Sequence, residues 1–236
     1  VLAITQGATF TVAGGQSIIL DQSSTFSSTV AFSSAGTIAA VTINDSGALA
    51  IPALTLAGNL SVTAAGAVTQ SGALAIGGTA TISASGHNVT LNEATNNFQG
   101  AVGITGAVVS VVDAGAIELG ASTVSGTYAV TATAGGGITN SGVLAITQGA
   151  TFTVAGGQSI NLNQSNTFSS TVGFASSGGG AIAAVTINDS DALALAALTT
   201  SGNLTVTAGG AVTQSAALVI GGTATIDAGS GNDITL

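Results

Sequence analysis

Lysine and arginine are absent from all 236 residues, against nine acidic side chains and one histidine, for a formal charge of −9. Phosphate backbones are gripped mainly by Lys and Arg. Nucleic acid is therefore excluded as a partner, and an anionic membrane surface would repel the chain. Trypsin-like proteases find no cleavage site. Cysteine is also missing, which removes disulfides and thiolate metal centres and leaves backbone ladders and packing to supply stability. Trp and Met are absent, Pro and Tyr occur once each, and only 4% of the residues are charged. The densest apolar stretches, such as Ala107–Val112 and Ala192–Leu198, fall far short of the ~20 residues of a membrane-spanning helix. No membrane insertion is expected. Neither a basic leader nor an initiating Met precedes the first repeat, so both ends read as cuts through a longer array.

What is present is apolar and small. Hydrophobic residues make up 46% of the chain, with 35 Gly and seven Phe, while Ser, Thr, Asn and Gln fill the polar positions. Low charge, β-branched residues and many glycines favour strands and turns over helices. A regular apolar pattern at this density argues against disorder.

The eighteen residues Val1–Ile18 recur letter for letter at Val143–Ile160. The match continues through Thr42–Ala50 with Thr186–Ala194, and through Gly58–Ala84 with Gly202–Ala228. Residues 1–142 form one long unit and 143–236 an incomplete second, together a single continuous array. Inside the unit a shorter motif, apolar-x-apolar-x-small-x-Gly-x-Val/Ile, begins near Phe10, Val41, Leu60, Ala80, Val109, Val130 and Phe152. Six steps across the unit average about 24 residues, the chain needed for one coil of a β-solenoid with three short strands. The two longest steps are read as coils carrying looped-out insertions. The fold expected is all-β: a right-handed parallel β-helix of about ten coils, on the order of 45–50 Å long at one strand spacing per coil.

Differences between the copies orient the strands. Ile18-Ile19-Leu20 returns as Ile160-Asn161-Leu162, so Ile19 and Asn161 face outward and their neighbours inward. The period-two rule then turns Phe10, Val12, Leu60, Val62 and Ile82 inward, with Thr9, Thr11, Ser61, Thr63, Thr81 and Ser83 outward. A narrow interior suits aliphatics, and Phe10, Phe26 and Phe32, repeated as Phe152, Phe168 and Phe174, are assigned to its wider corners. Gly66, Gly115, Gly136 and Gly210 are read as turn residues, often with positive φ. The segments Leu20–Val30 and Leu91–Val102 each read as a strand end, a polar bend and a Phe re-entering the core, with Asn placed to form ladders between coils.

The phrases GNLTVTAGGAVTQ, TNNFQGAVGITGA, LAITQG and LAIGGTATI resemble repeats of filamentous-haemagglutinin-like proteins, bacterial surface proteins exported by two-partner secretion or as autotransporters. The resemblance covers nearly the whole chain. It implies a right-handed β-helix, export across an outer membrane, an extracellular or cell-surface location, and roles in adhesion, biofilm or cell-cell contact. The complete lack of Lys and Arg departs from that family's pattern, as does the lack of a secretion domain within these residues.

Candidate sites weigh against catalysis. Polysaccharide-acting β-helices need acid clusters with Arg or Lys to stabilise charge, and no cation exists here; no catalytic, cofactor-binding or metal residue is assigned. His87 reads as a solvent-facing turn residue. Gly229–Leu236 resembles one turn of a calcium-binding β-roll, but Ser85-Gly86-His87-Asn88 in the first copy lacks the acid, so a Gly/Asn turn is preferred. Asn44-Asp45-Ser46 and Asn188-Asp189-Ser190 are read as solvated loops several coils apart. Asn-x-Ser/Thr sequons at Asn44, Asn59, Asn88, Asn163, Asn188 and Asn203 are put down to composition. Thr9, Thr11, Thr79, Thr81, Thr131 and Thr133 suggest an ice-binding ladder, but Ser61-Val62-Thr63 and Ser110-Val111-Val112 interrupt it. The function expected is a structural, adhesive and non-catalytic segment of a secreted or surface filament, with glycans or sister filaments as lateral partners. The alternative is a fibre or sheath subunit that homo-oligomerises end to end through open solenoid edges.

Overall fold

The computed structural model describes all residues from 1 to 236. It is an all-β parallel solenoid of about eleven turns without a helix, hence about 50 Å long at the usual strand spacing. Every strand pairing is parallel, and residues paired in successive turns stand between 17 and 25 positions apart. Two broad sheets carry the rod. The first runs from Ile18–Phe26 through Val41–Asp45, Leu60–Ala64 and Ala80–Ser83 to Ala224–Asp227, and the second from Leu49–Ile51 through Val68–Gln70 and Val89–Leu91 to Ile234–Thr235.

Alternation decides what each sheet buries. Val41-Thr42-Ile43-Asn44-Asp45 and Leu60-Ser61-Val62-Thr63-Ala64 turn their odd-placed residues inward, as a period of two requires. The inward residues merge into one core of 54 buried apolar side chains. Ile19 is 66% exposed and Asn161 is exposed beside buried Ile160 and Leu162, as the two copies implied. Phe10 and Val12 lie against the core in the first turns, half-buried. The Phe residues form edge-on and stacked contacts, Phe152 lying 6.1 Å from both Phe168 and Phe174 between ring centroids.

The register corrects the count of turns. Ala8 pairs with Val30, and Leu49, Val68, Val89, Val109, Tyr128 and Ala150 succeed one another turn by turn. The 142-residue unit thus makes seven turns rather than six. The two long steps contain no looped-out insertion, because the motif copies at their ends lie on different sheets. Phe10 stacks on Phe32, whereas Val41 belongs to the first broad sheet; Ala80 pairs with Val102, whereas Val109 belongs to the second.

A shorter period explains the crossing. Leu20, Leu91 and Leu162, each opening a polar bend that ends in a buried Phe, are 71 residues apart. Leu20 and Leu162 sit on the first broad sheet and Leu91 on the second. Seventy-one residues are therefore three and a half turns, and each such repeat presents its surfaces on the opposite side of the rod.

The third side moves with it. Leu54–Leu56, Leu74–Ile76 and Asn97–Phe98 stack where the chain passes from the second broad sheet to the first. Ser122–Val124, Leu144–Ile146 and the end of Ile160–Phe168 stack on the return, from first to second. Leu198–Thr200 and Leu218–Ile220 occupy the original edge again.

The glycine expectation also changes. None of Gly66, Gly115, Gly136 and Gly210 has positive φ. At Gly66 a Cβ would stand 2.7 Å from the Ala48 backbone nitrogen, and at Gly136 it would run into Ala116. Close stacking of one corner on the next requires glycine at those two positions.

Candidate functional site: buried aspartate seams and outward hydroxyl columns

Where the third side changes edge, its last strand has no strand above it, and a buried backbone donor without an acceptor is costly. The chain solves this three times with one device. The first stack ends at Phe26, whose N–H donates to Asp45 Oδ1 at 3.4 Å. Phe98 ends the second and donates to Asp113 Oδ2 at 2.7 Å; Phe168 ends the third and donates to Asp189 Oδ1 at 3.3 Å. Each carboxylate also accepts the N–H two residues on, from Gly47, Gly115 and Asp191, closing an Asx turn.

These aspartates are 0–1% exposed, which overturns the reading of Asn44-Asp45-Ser46 and Asn188-Asp189-Ser190 as solvated loops. The strand simply continues its alternation: Val41, Ile43 and Asp45 point inward, while Thr42 and Asn44 face out. The signal was available in the motif itself, since Asp113 stands in Val109-Ser110-Val111-Val112-Asp113 where Ala64 stands in Leu60–Ala64. Burial pushes the Asp113 and Asp189 carboxyls above the usual aspartate range, with the Phe98 and Gly115 donors pulling Asp113 partly back and the Asp191, Phe168 and Ser190 donors doing so at Asp189. Asp45 Oδ2 and Asp189 Oδ2 are buried without a hydrogen-bond partner.

Beneath two of the caps lies a buried asparagine. Asn96 Oδ1 accepts from Leu74 N–H at 2.9 Å and from Gln70 Nε2 at 2.8 Å, while its Nδ2 donates to the Leu91 and Val112 carbonyls and to Gln70 Oε1. Asn166 repeats this with Leu144, Asn140, Leu162 and Asn188. The expected asparagine ladder between coils exists, therefore, and it runs inside the rod. At the first seam Ser24 takes this place and accepts only the Leu2 N–H.

The outer surface is built of columns. Register aligns Asn44, Thr63, Ser83, Thr105 and Thr123 through five turns, with Thr42, Ser61 and Thr81 beside them. Further columns are Thr69, Thr90 and Ser110 on the second broad sheet and Thr186, Thr205 and Thr225 on the first. Asp21, Glu118 and Asp227 are the acids exposed on strands of these sheets. Asn59, Asn88 and Asn203, three of the sequon residues, are exposed and use Oδ1 to accept the N–H of Thr79, Val108 and Thr223 in the following turn. His87 is exposed in its turn, and Gly229 and Gly231 adopt positive φ in the turn at Gly229–Leu236. No three His, Asp or Glu side chains come together as a metal-holding group.

One lateral cleft of about 290 Å³ opens where the last third-side stack is founded, between Phe174, Ser176, Ile182 and Leu198. There the second copy is two residues longer than the first and carries Gly178, Gly179 and Gly180, all with positive φ. A second hollow, of about 420 Å³, exposes interior residues such as Leu218, Ile220 and Ile226 in the last turns.

The seams coincide with a family's repeat boundaries. A model described as repeats of unknown function (DUF5649) matches residues 38–105, 105–175 and 182–236. The chain belongs to the DUF5649 repeat family. Each DUF5649 match begins where a new third-side stack is founded: Ile38 bridges to Leu56, Thr105 pairs with Thr123, and Ile182 bridges to Thr200. The DUF5649 unit is thus the three-and-a-half-turn repeat, two of which make the 142-residue unit. Comparison with curated proteins and with solved structures finds no match to this chain.

Proposed function

We propose that this stretch of DUF5649 repeats is a stiff, non-catalytic spacer and adhesive segment of a secreted or cell-surface bacterial filament, wound as a right-handed β-helix like the filamentous-haemagglutinin-like proteins it resembles. The observation that carries the reading is the pairing of an unbroken parallel ladder with hydroxyl columns on both broad sheets. The ladder makes a rod. The columns make two largely uncharged faces, suited to hydrogen bonding with neutral glycans or with sister filaments.

Co-sedimentation of the purified rod with insoluble neutral polysaccharide tests this, read beside a variant in which Thr63, Thr105 and Thr123 are all changed to Ala. Retention of the native rod and loss of retention by the variant support the reading. Equal behaviour of the two, or no retention on any neutral glycan, overturns it. The alternative fibre-subunit reading is favoured instead by particles that lengthen end to end with concentration under negative stain, where a spacer stays about 50 Å long.

A further inference from the structure

The first broad sheet carries two outward rows side by side. Asn44, Thr63, Ser83, Thr105 and Thr123 make the longer one, through five turns, and Thr42, Ser61 and Thr81 run beside its lower part. The residues between the rows, Ile43, Val62 and Ile82, are buried. A shallow lane about 6.5–7 Å wide, floored by backbone, therefore separates the two rows.

The hydroxyls along this lane are free. Thr25, Thr133 and Thr167 tie theirs to Ser46, Asp113 and Ser190, whereas the Thr and Ser side chains of the two rows make no hydrogen bond within the rod, and Asn44 engages only its Nδ2. Strand pairing fixes their backbone and β-branching stiffens the threonines at χ1, so little freedom remains to be lost on binding. Charge selects further. Asp21 lies in the turn beneath Asn44, and Glu118 stands in the turn of Thr123. With no Lys or Arg in the chain, an acidic polymer is repelled at both ends of the longer row and a neutral one is not. The second broad sheet offers less, because its row of Thr69, Thr90 and Ser110 is bounded by Ala50 and Ala129.

Resting on the glycan-binding reading above, we infer that the first broad sheet takes an extended, neutral, β-(1→4)-linked polysaccharide laid along the rod, one sugar to each turn. Successive turns are ~4.8 Å apart, and an extended β-(1→4)-linked chain advances by nearly the same length per sugar. Each further sugar thus meets a further hydroxyl in an equivalent place. An α-(1→4)-linked chain coils instead and leaves the lane. A single neutral hydrogen bond is weak against competing water, so retention comes from repetition over several turns.

The test compares retention of the purified chain on microcrystalline cellulose and on granular starch of equal surface, with cellobiose and cellohexaose as soluble competitors. Expected on cellulose is at least about tenfold more bound rod than on starch, with release by cellohexaose and not by cellobiose at equal sugar concentration, as a multivalent lane requires. T63V/T105V/T123V, which keeps side-chain shape and removes the hydroxyls, should lose retention; T63S/T105S/T123S, which keeps them, should retain, as should T69V/T90V on the other sheet. Equal retention on the two solids, a preference for starch, or release by cellobiose as readily as by cellohexaose overturns this inference and leaves the broader glycan reading standing. Loss in T69V/T90V equal to that in the first-sheet Val variant overturns the choice of sheet. No retention on either solid overturns the inference, and no retention on any neutral glycan overturns the broader reading with it. Should the first-sheet Val variant fail to fold by circular dichroism, the starch comparison and the two competitors decide on the native rod.

Discussion

Replacing Asn96 by alanine should weaken the rod more than any other single polar substitution at the middle seam. Its amide supplies the acceptor that the next backbone strand would otherwise give to Leu74 N–H, and it donates to two main-chain carbonyls from different turns. Alanine leaves the buried Leu74 donor unsatisfied, at about 1–3 kcal/mol, and forfeits the remaining bonds at about 1 kcal/mol or less each. The expected loss is about 3–5 kcal/mol. Because a solenoid turn touches only its neighbours, the damage should stay within the turns that Asn96 ties together. Hydrogen exchange is the sharpest assay: the amides of Leu74 and Phe98 should exchange far faster, while those of Leu204 and Val206 keep their protection. Asn92→Ala, in the same bend but exposed, should change stability by about 0.5 kcal/mol at most. A loss at Asn96→Ala below about 1 kcal/mol, with Leu74 still protected, would refute the claim that this side chain stands in for a strand.

The other expectations rest on single contacts. Ser24→Ala, which removes one hydrogen bond to Leu2 N–H, should cost about 1 kcal/mol in chemical denaturation, well below the Asn96 loss. Tyr128→Phe should be close to neutral by thermal melting, since its buried hydroxyl makes no hydrogen bond of ordinary geometry and has only Ser122 near it. Gly136→Ala should be poorly tolerated because the new Cβ would strike Ala116; Gly15→Ala, with φ +78° and open space around it, should cost only about 1–2 kcal/mol. Leu91→Ala in the core should cost about 2–5 kcal/mol, whereas Ile19→Thr on the surface should lie within about 0.5 kcal/mol.

The solenoid itself was legible because its two strongest signals are local: alternation within a strand and identity between copies. Ile19 against Asn161 was enough to orient a strand correctly. The number of turns was misjudged because the same short motif serves both broad sheets, and letters alone do not say on which sheet a copy lies. A step of 29 or 31 residues looked like one coil with an insertion when it was one coil plus a crossing. The seams were hidden for a different reason. An aspartate flanked by Asn and Ser has the composition of a loop, and composition outweighed the alternation that placed Asp45 in line with Val41 and Ile43. Its burial depends on an orphan N–H one turn away, which no local pattern reveals. Gly66 and Gly136 likewise answer to the backbone of a neighbouring turn rather than to their own φ.

The half-turn repeat gives the family's arithmetic a spatial meaning. Since a 71-residue repeat closes on itself after three and a half turns, a rod can gain or lose one repeat without disturbing the packing on either side of the junction. What changes is orientation. Everything beyond the altered point turns to the opposite side of the rod, so a hydroxyl column that continued one face now continues the other. Gain or loss of two repeats restores the original side and alters length alone, by about 33 Å for seven turns. Deleting residues 21–91, which joins Leu20 to Asn92 as Leu91 was joined before, should therefore yield a folded rod about three and a half turns shorter. Spin labels at Thr9 and Thr213, both exposed and on the same side in the parent chain, should then report opposite sides. Labels still on one side of a shortened, folded rod would show that the seam fixes neither the edge of the third side nor the half-turn.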